Sequence, residues 1–206
     1  TWEDISNAGS WLLEENRVDL LKDIAILENA LEDEGIYTRV KKEYVRKRLD
    51  NLIISDYSLK DFKEFKEINY QWLNDSVGIS GYDEKVLSNP EDEIIKKGGK
   101  IYMASAGREF AGTFILKPIN KNYLELTKLA VKKAYRRMGI GEKLMNYAIE
   151  EAKRSGYHTL ILLTHPTLTA AINLYRKMGF IEIPGHPDLP NPTGRCSITM
   201  QYIINH

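Results

Sequence analysis

The segment Arg136-Arg137-Met138-Gly139-Ile140-Gly141-Glu142 has the composition of an anion site. Gly139 and Gly141 can take positive φ and let the backbone approach a ligand without a Cβ clash. The pattern that follows is helical, with Leu144, Ala148, Ile149 and Ala152 on one side and Glu142, Lys143, Glu150, Glu151, Lys153 and Arg154 on the others. Its first turn would point free N–H groups and their partial positive charge out of the loop, which favours phosphate. Arg136 and Arg137 stand beside it as charge partners. A P-loop would need Lys-Ser/Thr after the last glycine, where Glu142-Lys143-Leu144 stands, and a dinucleotide fingerprint would need a third glycine. A plain glycine turn between a strand and a surface helix would account for the same residues without a ligand.

A second stretch narrows the choice. Leu168-Thr169-Ala170-Ala171-Ile172-Asn173-Leu174-Tyr175-Arg176-Lys177-Met178-Gly179-Phe180 resembles the Ala-x-x-Leu-Tyr-x-x-x-Gly-Phe signature of the GNAT N-acetyltransferases. The Arg136, Gly139, Gly141 loop resembles that family's Arg/Gln-x-x-Gly-x-Gly/Ala loop, and the strand end Leu129-Ala130-Val131 and the Gly156 break fit it too. The resemblance runs from Leu52 to Ile203. It implies an α/β (α+β) fold with a mixed central sheet flanked by helices. It also implies acetyl-coenzyme A, its pyrophosphate held by the amides of Met138 to Glu142, and acyl transfer to a primary amine of a small molecule or peptide.

The same resemblance assigns roles. A strand amide near Leu129, Ala130 or Val131 would meet the thioester carbonyl, an oxyanion-type contribution of about 3 kcal/mol. Tyr175 would return a proton to the departing sulfur, since a phenol titrates near 10, close to a thiol; a tyrosine packed beside Leu174 is the bland alternative. Glu125 stands where several members carry the carboxylate that deprotonates the amine. His165, at the end of the next strand, is the other candidate base, histidine being the side chain that ordinarily titrates near neutrality. Tyr70 and Trp72 fall where the family's acceptor site is lined, with core packing as the alternative for each. Arg195 and Cys196 could face the acceptor as well. Leu168 departs from the asparagine that many members place there. A second reading therefore stays open: a non-catalytic acyl-coenzyme A sensor, coupled to a dimer or to a partner domain.

Several elements must position these groups. Leu124, Leu126, Leu129 and Val131 make an apolar strand with one step out of alternation near Thr127 and Lys128, which predicts a bulge. Thr159 to Thr164 reads as a strand buried on both faces, and parallel strands that part here would form the slot for pantetheine. Leu52 to Ile54 predicts a first strand, Leu59 to about Trp72 a helix, and the stretch through Gly78, Ser80, Gly81 and Tyr82 a loop. Asn89-Pro90 opens a short helix to Lys97. Ile101 to Ala104 and Phe110 to Leu116 predict a hairpin, in which Gly112 marks a close approach of backbone or cofactor.

Residues 1–50 read as a helical extension to a GNAT domain over 51–206. Leu13, Leu20, Ile24, Leu27 and Leu31 form a near-heptad stripe that favours a homodimer. The segment loosely resembles the C-terminal dimerisation helix of MarR-type regulators, as found in chains that fuse such a regulator to a GNAT domain. The basic run Arg39 to Arg48 reads as a solvated face. Lys plus Arg and Asp plus Glu number 29 each among 206 residues, which argues against a nucleic-acid or anionic-membrane partner. One cysteine, Cys196, excludes an internal disulfide and suits a reducing compartment. With no span-length apolar run and no signal peptide, a cytoplasmic protein is expected. The chain opens on Thr1, so a fragment or a processed chain is also expected.

Overall fold

The computed structural model describes residues 52–205. The extension expected over 1–50, with its leucine stripe and basic helix, lies outside them. Seven strands form one mixed sheet: β1 (Leu52–Asp56), β2 (Lys100–Ala106), β3 (Glu109–Pro118), β4 (Tyr123–Val131), β5 (Thr159–Thr164), β6 (Ile181–Ile183) and β7 (Ile198–Ile203). Their order is β1-β2-β3-β4-β5-β7-β6. Only β4 and β5 pair in parallel. Among the described residues the α-helices are α1 (Phe62–Ser76), α2 (Gly81–Ser88), α3 (Pro90–Glu93), α4 (Ile140–Arg154) and α5 (Thr169–Lys177).

Period-two alternation puts helices on both faces of the sheet. Phe65, Ile68 and Leu73 of α1 and Val86 and Leu87 of α2 share one buried cluster with Ile101, Met103 and Ile115 of β2 and β3. Tyr102 and Phe114, which alternate with those strand residues, stack at 4.8 Å. Tyr147 of α4 meets Tyr102 edge-on at 5.4 Å, so α4 covers the opposite face. Each fully buried side chain of this size is worth about 2–3 kcal/mol.

Two expectations about the middle of the chain are corrected. The last two residues of the loop read through Tyr82 already belong to α2, whose start is set by a capping box. The Ser80 hydroxyl accepts from the Asp83 amide at 3.1 Å, and the Ser80 amide donates to Asp83 Oδ2 at 2.9 Å. The helix expected from Glu91 to Lys97 is instead the single turn α3, then a 3-10 turn over Ile95–Lys97 ended by Gly98 at φ 84°. The close approach expected at Gly112 is to protein: a Cβ there would lie 2.9 Å from the Ala130 carbonyl and 3.0 Å from Leu144 Cδ1.

The centre of the sheet follows the sequence pattern. Ile115 pairs with Thr127 and Thr113 with Ala130, so Lys128 and Leu129 of β4 stand opposite Phe114 alone in β3. The bulge includes Lys128, whose φ is +53°. Pairing of β4 with β5 covers only Tyr123, Leu124 and Glu125, opposite Thr159, Leu160 and Ile161. Beyond Glu125 the two strands part. No helix among the described residues is long and apolar enough to cross a membrane.

Candidate active site

The parted strands open onto a cleft of about 500 Å³. Leu129 and Val131 of β4 and the glycine loop form one wall, and Ala170, Ala171, Leu174 and Tyr175 of α5 the other. Gly139 sits at φ 80° with nothing within 4 Å of where its Cβ would be. Gly141 serves differently: a Cβ there would meet Leu174 Cδ2 at 3.1 Å, so glycine lets α5 close on the loop. The Lys143 amide bonds to the Gly139 carbonyl at 3.1 Å, and the first-turn amides of Ile140, Gly141 and Glu142 precede that bond. Glu142, in the first turn of α4, is neutralised by Lys177 of α5 at 2.6 Å.

The arginines divide the work. Arg136 Nε donates to the Val131 carbonyl at 3.1 Å and its Nη1 to Asp75 at 2.8 Å, which ties the loop to the strand end and to α1. Its Nη2 is buried without a partner among the described residues. Arg137, exposed at φ 64°, holds the loop's other unusual backbone angle. Open space at Gly139, the first-turn amides and the orphaned Arg136 nitrogen together fit a bound pyrophosphate. Of the sequence-derived cofactor residues, Met138 and Ala130 do not line this cleft; Ala130 is buried in the core with Phe65.

Tyr175 lies where the cleft meets a second cavity of about 80 Å³. It is 9 % exposed, with its ring 6.0 Å from that of Phe180. Burial, and secondarily the neighbouring Cys196, pushes its phenol up to about 12. Tyr175 therefore holds its proton at any ordinary pH. The second cavity also takes in Trp72, Leu129, His165, Leu168 and Thr164, whose buried hydroxyl has no partner among the described residues. The Thr167 amide donates to His165 Nδ1 at 3.2 Å, which places the proton of a neutral ring on Nε2.

A third cavity of about 70 Å³ adjoins the second, the two sharing Thr127, Lys128, Leu163, Arg195 and Cys196. Glu125 lines the third cavity, 7 % exposed and paired with Lys117 at 3.0 Å. Glu125 and Tyr175 thus occupy neighbouring cavities rather than one. The two aromatic candidates separate: Trp72 lines both the cleft and the second cavity, whereas Tyr70 lines none of these spaces. The Tyr70 hydroxyl bonds to Glu84, and Lys66 lies 5.1 Å from its ring centre, so it braces α1 against α2.

Sequence reasoning missed Asp83. This carboxylate is 0 % exposed and pairs with both Lys128 and Arg195, while Ser80 Oγ donates to it at 2.7 Å. The pattern Ser80-x-x-Asp83 was the available signal, and it announces a helix start rather than a site. Burial by itself would raise the Asp83 pKa; the Lys128 ammonium and the Ser80 hydrogen bonds outweigh it and hold the carboxyl at about 2. A folded pKa below the ordinary 3.8 adds stability that is complete above the unfolded value and is lost as pH falls from there toward about 2. The amount is about 2 kcal/mol. Asp83→Asn should remove that acid dependence and, by leaving two half-buried cations without their shared anion, cost about 3 kcal/mol at pH 7. Urea unfolding at pH 7 and pH 3 measures both; unchanged midpoints would show that the cluster contributes nothing to folding.

Comparison with known proteins agrees with this geometry. The model of the acetyltransferase (GNAT) family matches residues 62–180. An uncharacterized N-acetyltransferase, YvbK of Bacillus subtilis, is 33% identical over 102 residues, which cover 48% of this chain and 66% of that protein, just under two thirds of its length. An acetyltransferase of the GNAT family from Staphylococcus aureus superposes with a TM-score of 0.65 at 24% identity, covering 75% of this chain and 99% of the other. A GNAT family acetyltransferase from Elizabethkingia anophelis, crystallised with acetyl-CoA, superposes with a TM-score of 0.51 at 22% identity over 75% of this chain and 99% of that one. A bulged central strand, a neighbour that parts from it, a glycine loop opening a helix and a family match that spans all three lead to one assignment: this chain belongs to the GNAT family of acetyltransferases.

Proposed function

We propose that this N-acetyltransferase moves an acetyl group from acetyl-coenzyme A directly to a primary amine of a small molecule or peptide. The observation that carries the reading is the meeting of the anion-binding cleft and the second cavity at Tyr175, in the gap between β4 and β5. Acetyl-coenzyme A supplies an activated thioester when bound. The amides of Gly139 to Glu142 and Arg136 Nη2 hold its pyrophosphate. The bulged end of β4, from Leu129 to Val131, offers an amide to the thioester carbonyl. The amine nitrogen bonds to the carbonyl carbon as the carbon–sulfur bond breaks. Tyr175 gives its proton to the sulfur, and the proton lost by the amine passes through water to Glu125. Trp72 lines the junction of the two spaces.

One observation favours the regulatory alternative: Lys117 Nζ already donates to Glu125 Oε2 at 3.0 Å, which occupies one of the two oxygens a base would offer. Calorimetric titration with acetyl-coenzyme A, followed by a thiol-release assay over a panel of amines, separates the two. Micromolar binding with thiol release is expected. Binding without release on every amine would favour the acyl-coenzyme A sensor, and no binding would overturn both.

A further inference from the structure

Building on the transferase reading, we propose that the acceptor is a small amine bearing a carboxylate, and that Arg195 and Lys128 bind that carboxylate beside Asp83. The charges lining the third cavity do not balance. Lys117, Lys128 and Arg195 face Asp83 and Glu125 there, and Lys117 is matched by Glu125 at 3.0 Å. Asp83 alone is left to serve two cations. The Lys128 side chain is 10% exposed and that of Arg195 is 22% exposed. Two cations partly withdrawn from water and sharing one carboxylate repel each other, and a second anion relieves that repulsion. A ligand carboxylate supplies the missing charge.

The donors for it remain available. A guanidinium carries five N–H groups. Arg195 spends one on Asp83 and one, at 2.9 Å, on the Gly78 carbonyl. Lys128 spends one of its three on Asp83. All three residues are fixed before any ligand arrives. Asp83 is held by the Ser80 capping box, Arg195 by Gly78, and Lys128 by the bulge that places its φ at +53°. A non-glycine residue kept in the left-handed region costs energy, and such strain collects at functional positions.

Position and charge agree with this reading. Lys128 and Arg195 line the second cavity as well as the third, so a carboxylate held by them leaves an amine on the Tyr175 side. The same unmatched positive charge disfavours polycationic acceptors, which bring no anion to it. Cavities of about 70 and 80 Å³ suit a small molecule better than a folded protein's surface.

The test compares each of several amino acids with its carboxamide in the thiol-release assay at saturating acetyl-coenzyme A, together with a linear diamine. The acid should exceed the amide in kcat/KM by about 10- to 100-fold, the range of a charge-assisted contact. Arg195→Gln should bring that ratio close to one, and Lys128→Gln should lower it from the other side of Asp83. Preference for the amide or the diamine, or a ratio unmoved in both variants, would overturn the proposal while leaving the transferase intact. Titration of the same acids onto the coenzyme-A-bound chain keeps the two ideas apart. Acid binding with no turnover on any amine would sustain the carboxylate site and overturn the transferase reading. Neither binding nor turnover of the acids would overturn the carboxylate site.

Discussion

Tyr175→Phe is expected to lower kcat by about 10²- to 10⁴-fold, the range lost with a positioned general acid, while the affinity for acetyl-coenzyme A stays nearly constant. The substitution removes one oxygen and keeps the ring, so the 6.0 Å contact with Phe180 and the closure of α5 survive. Single-turnover thiol release reads the chemical step, and calorimetry reads the donor affinity. An unchanged rate would remove Tyr175 as the acid. The pH profile gives an independent check. With its pKa pushed up to about 12, Tyr175 stays protonated and competent throughout the range in which an ordinary phenol ionises. The fall in kcat from loss of the acid should therefore lie above pH 10 rather than at it. A fall centred at or below pH 10 that disappears in Tyr175→Phe would show that the residue titrates as an exposed tyrosine.

Gly139→Asp should weaken acetyl-coenzyme A binding by more than 100-fold without unfolding the chain. A side chain at this position meets no protein atom within 4 Å, and aspartate is among the residues that tolerate φ 80°. The loss arises in the site itself: a carboxylate would stand among the first-turn amides of α4, taking their positive end and repelling the pyrophosphate. Calorimetric titration measures the affinity, and a melting curve confirms the fold. Retained affinity would show that the pyrophosphate is held elsewhere. Gly141→Ala is a useful contrast, because its Cβ would press on Leu174 Cδ2 at 3.1 Å and perturb the seat of α5 rather than the charge of the loop.

Much of this site was legible because its signals are local. Positive φ at Gly139, the free amides at the start of α4 and the apolar face of that helix each depend on residues a few positions apart. The bulge could be read near Thr127 and Lys128 because one extra residue shifts every later side chain on a period-two strand. Tyr70 and Trp72 mark where local reading stops. They lie two residues apart on α1, about 200° round its axis and so on different faces, and tertiary packing decides which face meets the cleft: Trp72 reaches it and Tyr70 braces α2.

By itself, then, the sequence determined the glycine loop, the tyrosine helix and the two strands that part beside them, since backbone geometry and periodicity are properties of short segments. The tertiary structure alone decided what surrounds them. Asp83 lies 45 positions from Lys128 and 112 from Arg195, and no periodicity relates residues that distant. They meet because α2, the bulge of β4 and the segment entering β7 converge where β4 leaves β5. Pairing between strands sets that convergence, and pairing is a contact between distant parts of the chain.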